Sequence, residues 1–384
     1  MIIIIYCALY IYAVSYIRYC IGFNLLWQRI YILSAYIIII ISVIYFGIKK
    51  TLKLDKKILF LSNFILYEFI VSLCNSIIIM PFIAIDILLW PLLFCVFYDY
   101  TKQNNLPNCF KILTIIGMIS ICLFSIPNIV VHISGYGRNG GVIFPTYFCF
   151  AFLPMVYITY PKKISRFFSI LVVILMMVST KRAGFIIVVT GLMLLLLVEA
   201  LIQNTMKKTL RRIGVFVVIG VAAIIISLFL IQKFNLNIFN RLTMLSADEG
   251  SGRIAIWELV FGKFTDSSFL KKIFGHGYQS VYYRVRPFGK EWLSHNSFLE
   301  VLYDYGIIGL TAIICIIVTI IKKGIKLIKS KNIYAPIICY SLVAVIIMAA
   351  CSYFFEQSVI IIPFSVFLGI VFGNTQQERG RIKF

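Results

Sequence analysis

His295 and Asn296 stand immediately ahead of Ser297-Phe298-Leu299-Glu300, where the chain's long polar stretch gives way to an apolar run. A histidine titrates near neutrality and can accept a hydroxyl proton; at this position it equally suits a capping or interfacial role. Ser297-x-x-Glu300 reads as a capping box, which places His295 and Asn296 just ahead of a helix N-terminus. Free backbone N–H groups and the helix dipole make such an end attractive to anions. The accompanying cations are mostly arginines: Arg253 after Ser251-Gly252, Arg284 and Arg286 beside Tyr282 and Tyr283, and Arg182 next to Lys181. Arginine offers the paired, planar donors that a diphosphate takes best. Plainer roles stay open as well. Arg253 can pair with Asp248 or Glu249, and Arg284 and Arg286 can lie on a solvated edge strand. Glu300, Tyr303 and Asp304 share one face of the helix that follows. These carboxylates can orient the histidine, bind sugar hydroxyls or pair with arginines inside a bundle. His276, between Gly275 and Gly277, reads as a turn residue.

A membrane bundle must position these groups. Of 384 residues, 61% are hydrophobic and 13% charged, a composition that belongs to a polytopic membrane protein rather than a soluble core. A crossing needs about 20 apolar residues. Twelve stretches qualify, near 2–22, 30–48, 58–76, 79–98, 112–131, 142–160, 164–180, 183–202, 213–232, 297–321, 334–354 and 358–373. Each must be a helix, because backbone groups in hydrocarbon have to bond internally. The expected fold is therefore an all-α polytopic membrane protein of about twelve transmembrane helices with one large extracytoplasmic loop. Helices 1–9 fill 1–232, the loop takes 233–296, and helices 10–12 with a cytoplasmic tail take 297–384. The first stretch lacks a basic start and a small-residue cleavage site, so it reads as a span rather than a signal peptide.

Charge sets the orientation. Of 36 lysines and arginines, 22 fall in the alternate loops 49–57, 99–111, 161–166, 203–212, 322–331 and 374–384. The positive-inside rule places those loops and both termini in the cytoplasm and the 233–296 loop outside, with Arg18 and Arg29 dissenting. The net charge of +22 thus follows from topology. No soluble domain presents a basic surface to nucleic acid. The ten cysteines avoid the outer loop and have no metal-ligand spacing, which leaves them as small apolar fillers. Glu68, Asp86 and Glu356 read as polar contacts inside the bundle. Only 14 residues separate Arg166 from Lys181, short for a crossing, so Lys181 and Arg182 sit at the bilayer edge, as an anion site or a snorkelling pair. In the outer loop, Trp257, Val260, Phe261 and Phe264 share a helical face suited to the membrane surface. A Gly-rich turn spans 132–141.

There is no P-loop, dinucleotide fingerprint or H-E-x-x-H. An enzyme facing outward, away from nucleotides, needs a substrate already activated, and a lipid-linked diphosphate fits a bundle with outer arginines. Ser251-Gly252-Arg253 with Trp257, then Gly275-His276-Gly277, then His295-Asn296-x-x-Leu299-Glu300 followed by Gly306-x-x-Gly309 resemble the signature of the bacterial O-antigen ligase and O-antigen polymerase superfamily. The resemblance implies a metal-independent, cofactor-free glycosyltransferase of the membrane-embedded C type. Its donor would be a glycan on undecaprenyl diphosphate, used at the outer face of the inner membrane. By the same resemblance, Arg182 and Arg253, with Lys181 and Arg284, would hold the diphosphate, and His295 would activate the acceptor hydroxyl. Asn296, Glu300, Tyr303, Asp304 and His276 would support the site or bind sugar. Membrane lipids, a chain-length regulator and a flippase are the implied partners. Lys181-Arg182-Ala183-Gly184 is more similar to the polymerases than to the Ser-Arg-Gly turn of the ligases. The expectation is an O-antigen, capsular or exopolysaccharide polymerase. The alternative is a ligase that transfers the glycan to lipid A–core, and a lipid-linked glycan transporter is more remote because the polar residues gather at the outer rim rather than at midplane.

Overall fold

A computed structural model describes residues 1–20, 24–48, 55–75, 84–133, 146–179, 182–203, 214, 253–289, 293–352, 354–355 and 358–381. The glycine-rich turn, nearly all of the expected ninth span, the start of the outer loop with Asp248 and Glu249, Lys181 and Glu356 lie outside the described residues. Among the described residues every regular element is helical: α1 (Ile2–Cys20), α2 (Leu25–Ile48), α3 (Lys56–Cys74), α4 (Leu89–Gln103), α5 (Cys109–Ile133), α6 (Tyr147–Thr159), α7 (Lys162–Val178), α8 (Arg182–Gln203), α9 (Arg253–Thr265), α10 (Phe269–Phe274), α11 (Ser297–Lys329), α12 (Ala335–Cys351) and α13 (Ser358–Arg381). Six of these are long and apolar enough to cross a membrane, judged by length and composition: α1, α2, α3, α5, α8 and α11. Apolar stretches of α6, α12 and α13 are shorter. The edge strand left open as the plainer reading of Arg284 is instead a helical turn, Val281–Val285.

The chain forms two compact units. One comprises residues 1–70, 78–175 and 357–384. Its core is aromatic, with Tyr6 stacked on Phe110 at 3.9 Å between ring centroids. The Tyr6 hydroxyl bonds Tyr10 Oη at 3.0 Å and Thr114 Oγ1 at 2.8 Å, so that no buried hydroxyl of this trio goes unmatched. Thr101 Oγ1 donates to Phe97 O at 2.7 Å and to Ile370 O at 3.3 Å, tying α4 to α13.

The other unit comprises residues 71–77 and 176–356, and it holds most of the residues singled out in the sequence. In it α8 packs on α12, and α11 packs on α9, α10 and α12. At 33 residues, α11 would run about 50 Å as a straight helix, well beyond the hydrocarbon thickness. It is not straight. Gly306 adopts φ 65°, ψ −168°, a conformation open essentially to glycine. The break separates a short segment, 297–305, from the apolar remainder. Glu300, Tyr303 and Asp304 therefore lie in the short piece, where all three are buried, rather than in a continuous span. On α9 the buried face is Ile256, Val260 and Phe264. Of the four residues read as one membrane-surface face, Val260 and Phe264 are thus buried, Phe261 is exposed, and Trp257 is half-buried with its ring nitrogen turned to another partner.

Candidate functional site

Two backbones meet where α11 breaks. Gly275 (φ 87°) and Gly277 (φ 95°) carry the turn after α10. A Cβ on Gly275 would lie 2.2 Å from Asp304 O, and one on Gly306 2.2 Å from Ile273 O. Only glycine permits that approach, and hydrogen bonds exploit it: His276 N–H donates to Tyr303 O at 3.1 Å and Gly277 N–H to Asp304 O at 2.7 Å. A break in a helix leaves carbonyls of the preceding turn in need of donors, and the 275–277 turn supplies them. The glycines of both motifs thus form one interlock. Asp304 also receives Val281 N–H on its carboxylate, at 3.3 Å.

His276 is more than a turn residue. Its ring stacks on Tyr303 at 4.2 Å with 4° between planes. Nδ1 lies 3.1 Å from Tyr303 O and Nε2 lies 3.1 Å from Ser267 Oγ. Burial, with Lys271 and Arg284 nearby, holds its pKa below the ordinary histidine value, against the contrary pull of the Tyr303 carbonyl. Lys271, which the sequence reading passed over, donates to Asn75 Oδ1, and Arg284 donates to Asn75 O. Burial and the Arg284 charge lower the Lys271 pKa.

The His295 segment is clamped from several sides. The expected capping box is not formed. Asn296 is the N-cap, its Oδ1 accepting from Phe298 N at 3.1 Å and Leu299 N at 3.2 Å. Glu300 reaches further back, accepting from Ser294 N at 2.6 Å and Ser294 Oγ at 3.0 Å. The reason is geometric: Asn296 already offers a short side-chain acceptor, and His295 at φ 56° turns the chain so that Ser294 meets the carboxylate. The N–H groups of Phe298, Leu299 and Glu300 in the first turn of α11 are therefore committed to Asn296 and not free for an anion. The helix dipole remains, but direct donation to an anion falls to side chains. Trp257 Nε1 donates to Ser294 O at 2.7 Å. Ser297 Oγ donates to Ser352 O at 3.2 Å and accepts from Phe354 N at 2.6 Å.

Arg253 opens α9, and its Nη1 donates to Cys351 O at 2.8 Å, at the C-terminal end of α12, where unpaired carbonyls favour a cation. Cys351 and Ser352 are consecutive, so Arg253 and Ser297 engage neighbouring residues of one strand of backbone. One turn along α9, Trp257 holds Ser294. Arg253 is thereby brought to the His295 corner, while Arg284 and His276 gather with Lys271 around Asn75. Arg182 is the first residue of α8; its side chain, like all of Lys181, lies outside the described residues.

Residues 167–314 match the family model described as O-antigen ligase. Over that segment the chain is similar to the O-antigen ligase family. No curated protein and no solved structure matches the chain. The matched segment contains the His295 clamp, the Gly275–Gly306 interlock and Arg182, Arg253, Arg284 and Arg286. Four of the anchors lie outside it: Ser72, whose Oγ accepts from Tyr278 N at 3.2 Å, Asn75, Cys351 and Ser352. Sequence reasoning missed these, because nothing in a distant asparagine, serine or helix-end carbonyl marks it as a partner.

Proposed function

We propose that the protein is a polymerase that joins undecaprenyl-diphosphate-linked repeat units at the outer face of the inner membrane, within a bundle of about twelve spans. The observation that carries this reading is the His295 corner. A histidine is held at a fixed backbone conformation by bonds on Ser294, Asn296 and Ser297, and an arginine is anchored on the residue adjoining Ser297's partner. The acceptor hydroxyl oxygen attacks the anomeric carbon of the donor as the bond from that carbon to the diphosphate oxygen breaks. His295 takes the hydroxyl proton. Arg253 and Arg182 hold the departing diphosphate, so that fixed cationic charge meets negative charge as it develops. No metal or cofactor enters this scheme.

One observation favours a second reading. The matched family model is described as O-antigen ligase, and a ligase uses the same donor with lipid A–core as acceptor. Deletion of the gene with a surface-glycan profile separates the two. Loss of a polymerase leaves single-repeat caps, whereas loss of a ligase leaves uncapped lipid A–core with polymer stranded on its carrier lipid. His295→Ala and Arg182→Ala should each abolish glycan extension while protein level and insertion persist. Normal glycan length in both variants would overturn the assignment.

A further inference from the structure

Lys271 and Arg284 are an unusual pair. Both donate to one residue, Asn75, Lys271 to its side-chain oxygen and Arg284 to its carbonyl. Among the described residues no carboxylate pairs with either. Like charges drawn together on a neutral amide repel one another, and the Arg284 charge is among the causes that lower the Lys271 pKa. Their helix, α10, also shows Phe269 and Leu270 to the outside at 74% and 65% exposure. In a membrane protein such side chains mark the depth where apolar tails meet headgroups.

His276 completes the arrangement. A carbonyl only accepts, so Nδ1 carries a proton toward Tyr303 O. Ser267 Oγ, beside Nε2, also lies 2.7 Å from Lys263 O and can donate its one hydrogen to either. Nε2 can therefore accept the Ser267 hydrogen when the ring is neutral, or donate to Oγ when the ring is protonated and that hydrogen stays on the bond to Lys263 O. The groups facing the ring are Lys271 from α10, Arg284 from the turn after it, and Tyr303, next to Asp304, from α11. The Tyr303 carbonyl favours the protonated ring, while burial and the two cations oppose it.

We propose that Lys271 and Arg284, with His276 behind them, form a second phosphate-binding site, on anchors separate from those of Arg253. It takes the diphosphate or phosphate of a lipid at the outer headgroup level. On the polymerase reading, which alone names the ligand, this is the place for the second lipid-linked diphosphate; the anion site itself does not depend on that reading. A bound phosphate cancels the repulsion between the cations and allows His276 to take its proton.

The test uses the full chain in nanodiscs, with labelled histidines and His276→Gln to assign the ring signal by NMR. In phosphatidylcholine discs, inorganic pyrophosphate should raise the protonation midpoint of His276 by about one pH unit, the effect of a nearby opposite charge. Lys271→Gln or Arg284→Gln should each weaken pyrophosphate binding about tenfold. Arg253→Gln should leave the His276 response in place. Phosphatidylglycerol discs separate the sources: a midpoint already raised before pyrophosphate is added identifies a headgroup phosphate as occupant, and one raised only by pyrophosphate identifies a diphosphate. A His276 midpoint that saturating pyrophosphate leaves unmoved in the unaltered chain in both discs would overturn the proposal, and that measurement needs no variant to fold. The polymerase reading fails on separate grounds, by normal glycans in both His295→Ala and Arg182→Ala cells.

Discussion

Removing the carboxyl at position 300 should disable transfer through the loop it holds, not through any contact with substrate. Glu300 is fully buried and accepts two hydrogen bonds from Ser294, one from the backbone and one from the hydroxyl. Glu300→Ala leaves that buried N–H without a partner and opens a gap beneath it, a cost of about 3 kcal/mol on the usual scale for a lost buried bond plus a small cavity. His295 adjoins Ser294 and sits at φ 56°, a conformation that costs a non-glycine residue about 1 kcal/mol and persists only while its surroundings enforce it. With the clamp gone the imidazole drifts, and misplacement by about 1 Å costs about 100-fold in rate. Glu300→Gln keeps an acceptor oxygen for Ser294 N–H and should lose less than about tenfold. The assay is steady-state transfer of a lipid-linked glycan by the full chain in nanodiscs, read as kcat and KM, alongside thermal unfolding. The expected signature is a fall in kcat with KM little changed, and recovery in the glutamine variant. Equal damage from Gln and Ala would refute the positioning argument and make the carboxylate charge itself the requirement.

Gly306→Ala should be among the most destabilising single changes in the chain. It forces a Cβ to 2.2 Å from Ile273 O at φ 65°, for about 3 kcal/mol in strain and overpacking combined; an unchanged unfolding temperature would show that the interlock is not required. Stability should also fall on mild acidification. The pKa of His276 is lowered in the folded chain, so the unfolded chain binds more protons; the contribution is complete above about pH 6.5 and is lost as pH falls through the folded value. Unfolding temperatures measured at a series of pH values should show a shallower loss in His276→Gln, and identical slopes would contradict the assignment.

The helical class, the membrane character and the His295–Asn296 corner were legible in the sequence, because apolar runs and a polar dipeptide ahead of an apolar run are local signals. The motif glycines were legible as motifs but not as partners. That Gly275 and Gly306 face each other depends on a tertiary crossing that no spacing reports. The capping box was misread because its Ser and Glu were both present; Asn296, one residue earlier, is the better cap, and Glu300 found a different donor. Trp257, Val260, Phe261 and Phe264 were read as one face of α9, yet Val260 and Phe264 are buried with Ile256 while Phe261 is exposed. Lys271 escaped notice because a lysine beside a lysine in an outer loop looks like a solvated face. Only Asn75 makes it part of a cluster.

The anchors of the site have a consequence for what counts as the working piece of this protein. Asn75 and Ser72 come from the end of α3, Cys351 and Ser352 from the end of α12, and the segment that carries the family likeness, 167–314, ends short of all four. The stretch by which the chain is known is therefore not a portable module. Excised, it would keep every motif letter and lose the partners of Lys271, Arg284, Arg253 and Ser297 together. During synthesis the same logic sets a timetable: Asn75 waits through some two hundred residues for its cations, and the His295 corner stays open at Arg253 and Ser297 until Cys351 and Ser352 have left the ribosome. The site is finished last, from both ends of the chain at once.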